Sequence, residues 1–270
     1  MCISLYPAHL TNTLIMGNVV EREGQTVHVV AYQNRVTNTS GRKNLMVLLV
    51  PAAAQLGPDN FIATSQAPNV LEDIVTATTV VSRGFTLGGG SEPTRGGMVV
   101  FRHDVFTIGA GYCRSREDLE EALAQFPEDV RPDLNWSVLE DLPETHPGFQ
   151  LVLAAFDVRD AAKALLAYWY VPTDPTTLFL PAFDAHDGRK PQPGAFVDVD
   201  HTIFVGSADG TYVRYSDELG ELAPFVPDQV LRVDVYGGLP NGDFTHKVGS
   251  RAVHRTNCGK VFALSRYSHG

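Results

Sequence analysis

Residues 195–206, AFVDVDHTIFVG, decide the fold class of this sequence. Apolar Val197 and Val199 alternate with Asp198 and Asp200, which is the period of a strand with one face in water. A turn containing Pro and Gly precedes the segment, and its β-branched and aromatic residues favour extended backbone. We therefore predict a strand, with both aspartates on one face and His201 on the other.

Further strands are predicted on both sides of this segment. Turn residues separate them at short intervals without regular intervening helices, which is typical of antiparallel sheets. The run LMVLLV at 45–50 is continuously apolar, so we expect both of its faces to be buried. The other predicted strands are residues 26–32, 98–112, 149–156, 164–172, 177–183, 211–216, 230–237 and 260–267.

Few helices are expected. SREDLEEALAQFP at 115–127 has Ser115 as N-cap, acidic residues in the first turn and apolar residues at intervals of three and four. VLEDIVTATTVV at 70–81 predicts a short helix running into a strand. DVRDAAKA at 157–164 favours a helical turn that extends as far as Leu166, before the aromatic residues at 168–170.

These elements predict an α+β fold with predominantly antiparallel strands, arranged as two packed sheets, and with the 115–126 helix packed on a sheet. We expect residues 1–270 to form one domain. The glycine-rich segment 82–97 and the segment 143–148, PETHPG, are the alternative positions for an internal boundary.

Composition limits the functional classes. The formal net charge is −10 and the isoelectric point is near 5.3, which argues against a nucleic-acid partner. Three widely spaced cysteines without a CxxC pair favour a reduced compartment. No secretory signal and no apolar run long enough to span a membrane are present, so we expect a cytoplasmic protein without a membrane partner.

Cys2, in MCIS at 1–4, is the first candidate for chemistry. If Met1 is removed, an α-amine that titrates near neutral pH and a nucleophilic thiol share one residue. This start resembles that of N-terminal-nucleophile hydrolases, whose mature chains begin with Cys, Ser or Thr at the end of a strand in stacked antiparallel sheets. The resemblance implies a cysteine-dependent amidohydrolase or acyltransferase. The alternative is a buried structural cysteine.

Acyl transfer also requires donors for a developing oxyanion, and asparagine amides can provide them without adding charge. Asn18, Asn34 and Asn44 are the candidates, with Asn18 and Asn34 assigned to the catalytic site beside Cys2. Each has an alternative role as a turn residue, because Asn18 follows Gly17 and the other two flank the polar stretch between 33 and 44.

A second candidate is a divalent metal site in the C-terminal half, since carboxylate and imidazole groups are ligands of Zn, Mn and non-haem Fe. The alternative is turn chemistry: Asp before Gly is common in turns, and NGD at 241–243 is typical of a hairpin. No spacing identifies a particular metal, and no other cofactor is predicted. The proposed ligands are Asp184 and His186 in FDAHDG, Asp200 and His201 in VDVDH, and Asp243 and His246 in NGDFTH.

A third hypothesis is a non-enzymatic binding or structural protein, whose polar loops shape a surface for a small molecule or a peptide. It requires no specific motif. The sequence therefore leaves open whether the protein is an enzyme.

Overall fold

The structure is a computed structural model that describes residues 3–79, 98–104, 106–156, 162–256 and 262–264. Of these residues, 48% lie in strands and 14% in helices, which confirms the α+β class with few helices. The helices are α1 (Val70–Thr79), α2 (Arg116–Ala124) and α3 (Leu142–Thr145). The strands are β1 (Ile3–Ser4), β2 (Ala8–Arg22), β3 (Gln25–Asn38), β4 (Asn44–Val50), β5 (Phe61–Ile62), β6 (Val99–His103), β7 (Phe106–Gly111), β8 (Gln150–Phe156), β9 (Ala162–Tyr170), β10 (Thr177–Leu180), β11 (Phe196–Tyr212), β12 (Gln229–Pro240), β13 (Asp243–Lys247), β14 (Val253–Thr256) and β15 (Phe262–Leu264).

The described strands form three sheets rather than two. Their orders are β12-β11-β2-β3-β9-β5, β1-β4-β8-β7-β6 and β10-β13-β14-β15. Among these strand pairs, β11 with β2 is parallel and all the others are antiparallel. Residues 196–206 of this stretch lie in β11, between β2 and β12, and Val199, Ile203 and Val205 are buried as the alternation predicts.

One hydrophobic cluster joins side chains from all three sheets, among them Val30, Leu48 and Leu178. A second cluster lies on the opposite face of β4, where Leu119 and Leu123 of α2 pack. All seven residues of β4 are buried, because one face meets the other sheets and the other meets the helix layer. Burial of 45–50 on both faces and the packing of the helix on a sheet are therefore confirmed.

The helix predictions have mixed outcomes. The Ser115 hydroxyl caps α2 by accepting the Asp118 N–H at 3.2 Å, as predicted. α1 ends at Thr79, and residues 80–81, predicted to continue into a strand, lie outside the described residues. The helical prediction up to Leu166 is wrong for 162–166, because β9 begins at Ala162 and pairs with β3. The segment 82–97 also lies outside the described residues.

The turn predictions are wrong for Gly17 and Asn18, for residues 33–38 and for Asn241. Gly17 and Asn18 lie in the middle of β2 and pair with Val30 and Val29 of β3. The polar stretch 33–44 forms the predicted turn only at residues 39–43, because β3 continues as far as Asn38. Asn241 does not close a hairpin, since β12 pairs with β11 whereas β13 pairs with β10 and β14. The amides of Asn18 and Asn241 bond to partners 207 and 57 residues away, which local sequence does not reveal.

No helix among the described residues is long and apolar enough to cross a membrane.

Candidate functional site

A cleft of about 450 Å³ opens between the connection from β10 to β11 and the corner between β12 and β13. This volume is in the range of small-molecule sites. The connection from β10 to β11 contributes two of the predicted metal ligands, Asp184 and His186, to this lining. Its polar lining consists of Asp184, His186, Asp187, Arg189, Lys190, Gln192, Asp198 and Asn241.

Asp243, at the start of β13, positions the chain that leads into this cleft. Its Oδ1 accepts the N–H groups of Ala182 at 2.9 Å and Phe183 at 3.0 Å. Its Oδ2 lies 3.2 Å from Nε2 of His146, and the two side chains are 0% and 2% exposed. Because buried polar groups need partners, this carboxylate fixes the backbone directly before Asp184.

The sequence prediction missed His146. The imidazole lies at the C-terminus of α3 between the rings of Phe149 and Phe183, with centroids 5.4 and 5.6 Å away. Asp243 is 97 residues further along the chain. No local pattern carries that signal, because THPG is as typical of a surface turn as of a buried pair.

Asn241 holds the backbone of Asp184 on both sides. Its Oδ1 accepts the Asp184 N–H at 2.8 Å, and its Nδ2 donates to the Asp184 carbonyl at 2.7 Å. A side-chain amide therefore replaces the hydrogen bonds that a neighbouring strand would make. The Asp184 carboxylate is fixed at the wall of the cleft as a consequence.

Asp184 and His186 form a close pair in this wall. Nδ1 of His186 lies 2.9 Å from Oδ1 of Asp184, within ion-pair distance although the angle is not that of a hydrogen bond. The Asp184 side chain is 6% exposed, and that of His186 is 30% exposed. Among the described residues, no group donates a hydrogen bond to the Asp184 carboxylate. This carboxylate is therefore open to a donor that enters from the cleft.

The cations of the cleft already have partners. Nζ of Lys190 lies 3.0 Å from Glu140 and 2.8 Å from Asp141, and these bonds raise the pKa of Lys190. Nε of Arg189 lies 3.7 Å from the Asp187 carboxylate. Asp198 on β11 is exposed and has no ion-pair partner among the described residues. The lining therefore carries excess negative charge.

The beginning of the described chain passes beside the same pair. Ile3 bridges to Ala185, and the Ser4 N–H donates to the Ala185 carbonyl at 2.8 Å. The Ala8 N–H donates to the His186 carbonyl at 2.9 Å. Cys2, the predicted nucleophile, lies outside the described residues.

The structure does not bring the two catalytic asparagine candidates to the cleft lining. Asn18 on β2 donates from Nδ2 to the Phe225 carbonyl at 3.0 Å and so holds the loop before β12. Asn34 on β3 is 1% exposed, and neither atom of its amide has a hydrogen-bond partner among the described residues. Asn44 clamps Tyr6, since Oδ1 accepts its N–H at 3.1 Å and Nδ2 donates to its carbonyl at 2.9 Å.

The remaining predicted metal ligands have other neighbours. Asp200 accepts the Asn12 N–H at 2.7 Å, and the buried ring of His201 packs edge-on against Phe244. His246 lies 3.1 Å from the Ala252 carbonyl, and burial lowers its pKa. Within the described part of the chain, no three His, Cys, Asp or Glu side chains are arranged to hold one metal ion. A metal at these residues stays a prediction.

A scan against protein-family models and a search of curated proteins find no match to this sequence. Among solved structures, the crystal structure of baculovirus P35 is similar over 98% of this chain and 97% of that chain, with 10% sequence identity and a TM-score of 0.43. A match at this level carries no inference about function.

Proposed function

We propose that this protein is a binding protein whose cleft takes a cationic ligand, an amine or guanidinium group on a small molecule or a peptide. The observation that carries the proposal is the Asp184 carboxylate, which is almost fully buried, held in place through its backbone and without a hydrogen-bond donor among the described residues. A buried carboxylate is stabilised by a cation that also donates hydrogen bonds.

The charge of the lining supports a cation rather than an anion. Lys190 and Arg189 are occupied by neighbouring carboxylates, whereas Asp198 is open to a ligand. His186 within ion-pair distance of Asp184 adds a group that a bound ammonium would displace or join. The volume of about 450 Å³ suits a ligand of the size of an amino-acid amide.

Calorimetric titration with arginine amide tests this function, with N-acetylglutamate as the anionic probe. We expect arginine amide to bind and N-acetylglutamate not to bind. Asp184→Asn should weaken binding of arginine amide by at least about tenfold, equivalent to about 1.4 kcal/mol. Asp129→Asn is the matched control, because Asp129 is an exposed carboxylate outside the cleft. Equal affinity of the Asp184→Asn variant and the unmodified protein would contradict the proposal.

A second candidate is the cysteine-dependent acyl transfer predicted from MCIS. The observation that favours it is the bridge between Ile3 and Ala185, because it brings the first described residue of the chain beside the wall that carries Asp184 and His186. The Asp184–His186 pair could accept the thiol proton. The sulfur would attack an amide carbonyl, the C–N bond would break, the proton would pass to the leaving amine, and water would hydrolyse the thioester to an acid.

Intact mass of protein expressed without an N-terminal tag tests this candidate, followed by mapping of a limiting thiol alkylator. Loss of Met1 with selective labelling of Cys2, slowed in the Asp184→Asn variant, would favour it. Retained Met1 would eliminate it and leave the binding proposal unaffected.

The metal hypothesis and the location are proposals of the same kind. Elemental analysis after purification without a metal-affinity step tests the first, and absence of stoichiometric metal would count against it. We propose a cytoplasmic location, which the unpaired thiol of Cys113 supports. Imaging of a tagged chain in the source cell checks it.

A further inference from the structure

The solvent-exposed face of β11 and β12, here called the ribbon face, continues from the cleft along the outer edge of the six-stranded sheet. Its members are Phe196, Asp198 and Asp200 on β11 and Tyr236, Gly238 and Pro240 on β12, which alternate with buried or partly buried residues. Asp198 belongs both to this face and to the cleft lining. The two surfaces are therefore continuous.

Two large aromatic side chains protrude from the ribbon face. Phe196 is 78% exposed and Tyr236 is 66% exposed. In the antiparallel register Phe196 lies opposite Pro240, Asp198 opposite Gly238 and Asp200 opposite Tyr236. The two rings therefore emerge on different strands, four residues or roughly 13 Å apart along the ribbon, with Asp198 midway between them.

Gly238 lies opposite Asp198 at the midpoint of this row and has no side chain. The ring of Phe196 leans toward it, since a Cβ built at Gly238 would lie 3.6 Å from Cδ1 of Phe196. A carboxylate without an ion-pair partner among the described residues therefore stands between two exposed rings, beside the ring of Phe196. An arginine or lysine side chain fits that chemistry, because its charge can pair with the carboxylate while it stacks on a ring.

The negative charge of the ribbon face also favours a basic partner. Oδ1 of Asp200 is buried and has no hydrogen-bond partner among the described residues. Asp234, the next outward residue on β12, is paired with Arg232 at 3.0 Å. Three carboxylates and one guanidinium leave an excess of negative charge.

The edge of β12 selects an extended partner. Among the described strands β12 pairs with β11 alone, so its other edge has backbone donors and acceptors that no described strand uses and that an added strand could use. A peptide that adds to a sheet edge presents alternate side chains to each face, and specificity comes from the side chains that meet the face.

We propose that the ribbon face binds an extended basic segment of a partner protein. One basic side chain lies between Phe196 and Tyr236 over Asp198, and another enters the cleft beside Asp184. This inference rests on the proposed cation-binding function of the cleft and names its partner.

The test compares a hexapeptide of alternating arginine and threonine with arginine amide and with a hexapeptide of alternating glutamate and threonine, by calorimetry. We expect the arginine hexapeptide to bind at least tenfold tighter than arginine amide, and the glutamate hexapeptide not to bind. Phe196→Ser and Tyr236→Ser should each weaken the hexapeptide roughly three- to thirtyfold and leave the affinity for arginine amide unchanged. Val248→Ser is the matched control, because Val248 is an exposed apolar residue, 48% exposed, outside the ribbon face.

The outcomes separate the two proposals. If arginine amide binds but the aromatic substitutions do not change the affinity for the hexapeptide, the ribbon-face inference is overturned and the cleft function stands. If neither cationic probe binds, both fail. Arg232 bonds to the hydroxyls of Thr78 and Thr79, so the end of α1 lies beside β12. Hexapeptide binding that arises only after deletion of residues 84–93 would identify that segment as the occupant and overturn the proposed partner.

Discussion

Among single residues, three buried polar side chains organise backbone that no strand pairs. Asn44 clamps Tyr6, Asn241 clamps Asp184, and Asp243 holds the two N–H groups before Asp184. Together they fix the crossing of the N-terminal segment over the wall of the cleft. Their partners are between 38 and 61 residues away, so spacing in the sequence could not assign them these roles.

Asp243→Ala should lower the free energy of unfolding by about 3–5 kcal/mol, because it leaves two backbone N–H groups and His146 buried without their acceptor. Urea unfolding followed by circular dichroism measures this. Asp129→Ala removes an exposed carboxylate and should change the free energy by less than about 0.5 kcal/mol. Equal small losses in both variants would refute the positioning role of Asp243.

Substitution of Gly17 tests the packing of β2 against β10, which belong to different sheets. A Cβ at this position would lie 2.5 Å from Leu178 and 2.6 Å from Leu180, and both leucines are buried. Gly17→Ala should therefore destabilise the protein by about 1–3 kcal/mol through overpacking. Gly57→Ala is the control, since nothing lies within 4 Å of its added Cβ and its φ is −142°. Thermal unfolding of the two variants measures this difference in stability. Similar melting temperatures would argue against close packing at Gly17.

At the scale of elements, the sequence predicted those whose signal is local. Three of these signals lie in consecutive residues, and the structure confirms each of them. They are the spacing of apolar residues along α2, the Ser115 cap of that helix and the apolar run of β4. β2 was missed because Gly17 and Asn18 read as a turn, whereas their strand is specified by β3 and β11 on its two sides. For the cleft, the sequence predicts Asp184 and His186 as functional residues. It does not predict His146 or the role of Asn241, because both depend on contacts between residues far apart in the chain.

The cap of α2 provides a prediction for this element. Ser115→Ala removes the acceptor of the Asp118 N–H and should lower the free energy of unfolding by about 1 kcal/mol. Ser115→Asp keeps an acceptor at the N-cap and should retain most of the stability. Chemical unfolding of the two variants compares them directly. A loss as large in Ser115→Asp as in Ser115→Ala would indicate that the hydroxyl acts through some contact other than the cap.

At the scale of the whole molecule, buried histidines make stability depend on pH. Burial lowers the pKa of His28, although the Pro175 carbonyl and the charge of Asp174 oppose this effect. Burial also lowers the pKa of His246. The folded state therefore binds fewer protons than the unfolded state as the pH falls below the ordinary histidine pKa, and acidification favours unfolding.

His28→Gln should reduce the slope of unfolding free energy against pH between about pH 5 and 6.5, the interval in which an unfolded histidine gains its proton. Urea unfolding at several pH values measures the slope. Val29→Ala on the same strand removes apolar burial without removing a titrating group, so it should lower stability at every pH and keep the slope. An unchanged slope in His28→Gln would show that other groups set the pH dependence.

The parallel pairing of β2 with β11 has a consequence for synthesis. It joins residues such as Asn12 and Asp200, which are 188 positions apart. At ordinary elongation rates of 5–20 residues per second, β2 emerges roughly 10–40 s before its partner strand. During that time one edge of the β2–β3 hairpin can pair with other nascent chains. The risk of aggregation is therefore greatest during translation. Binding of chaperones to the nascent chain should decrease once β11 has left the ribosome.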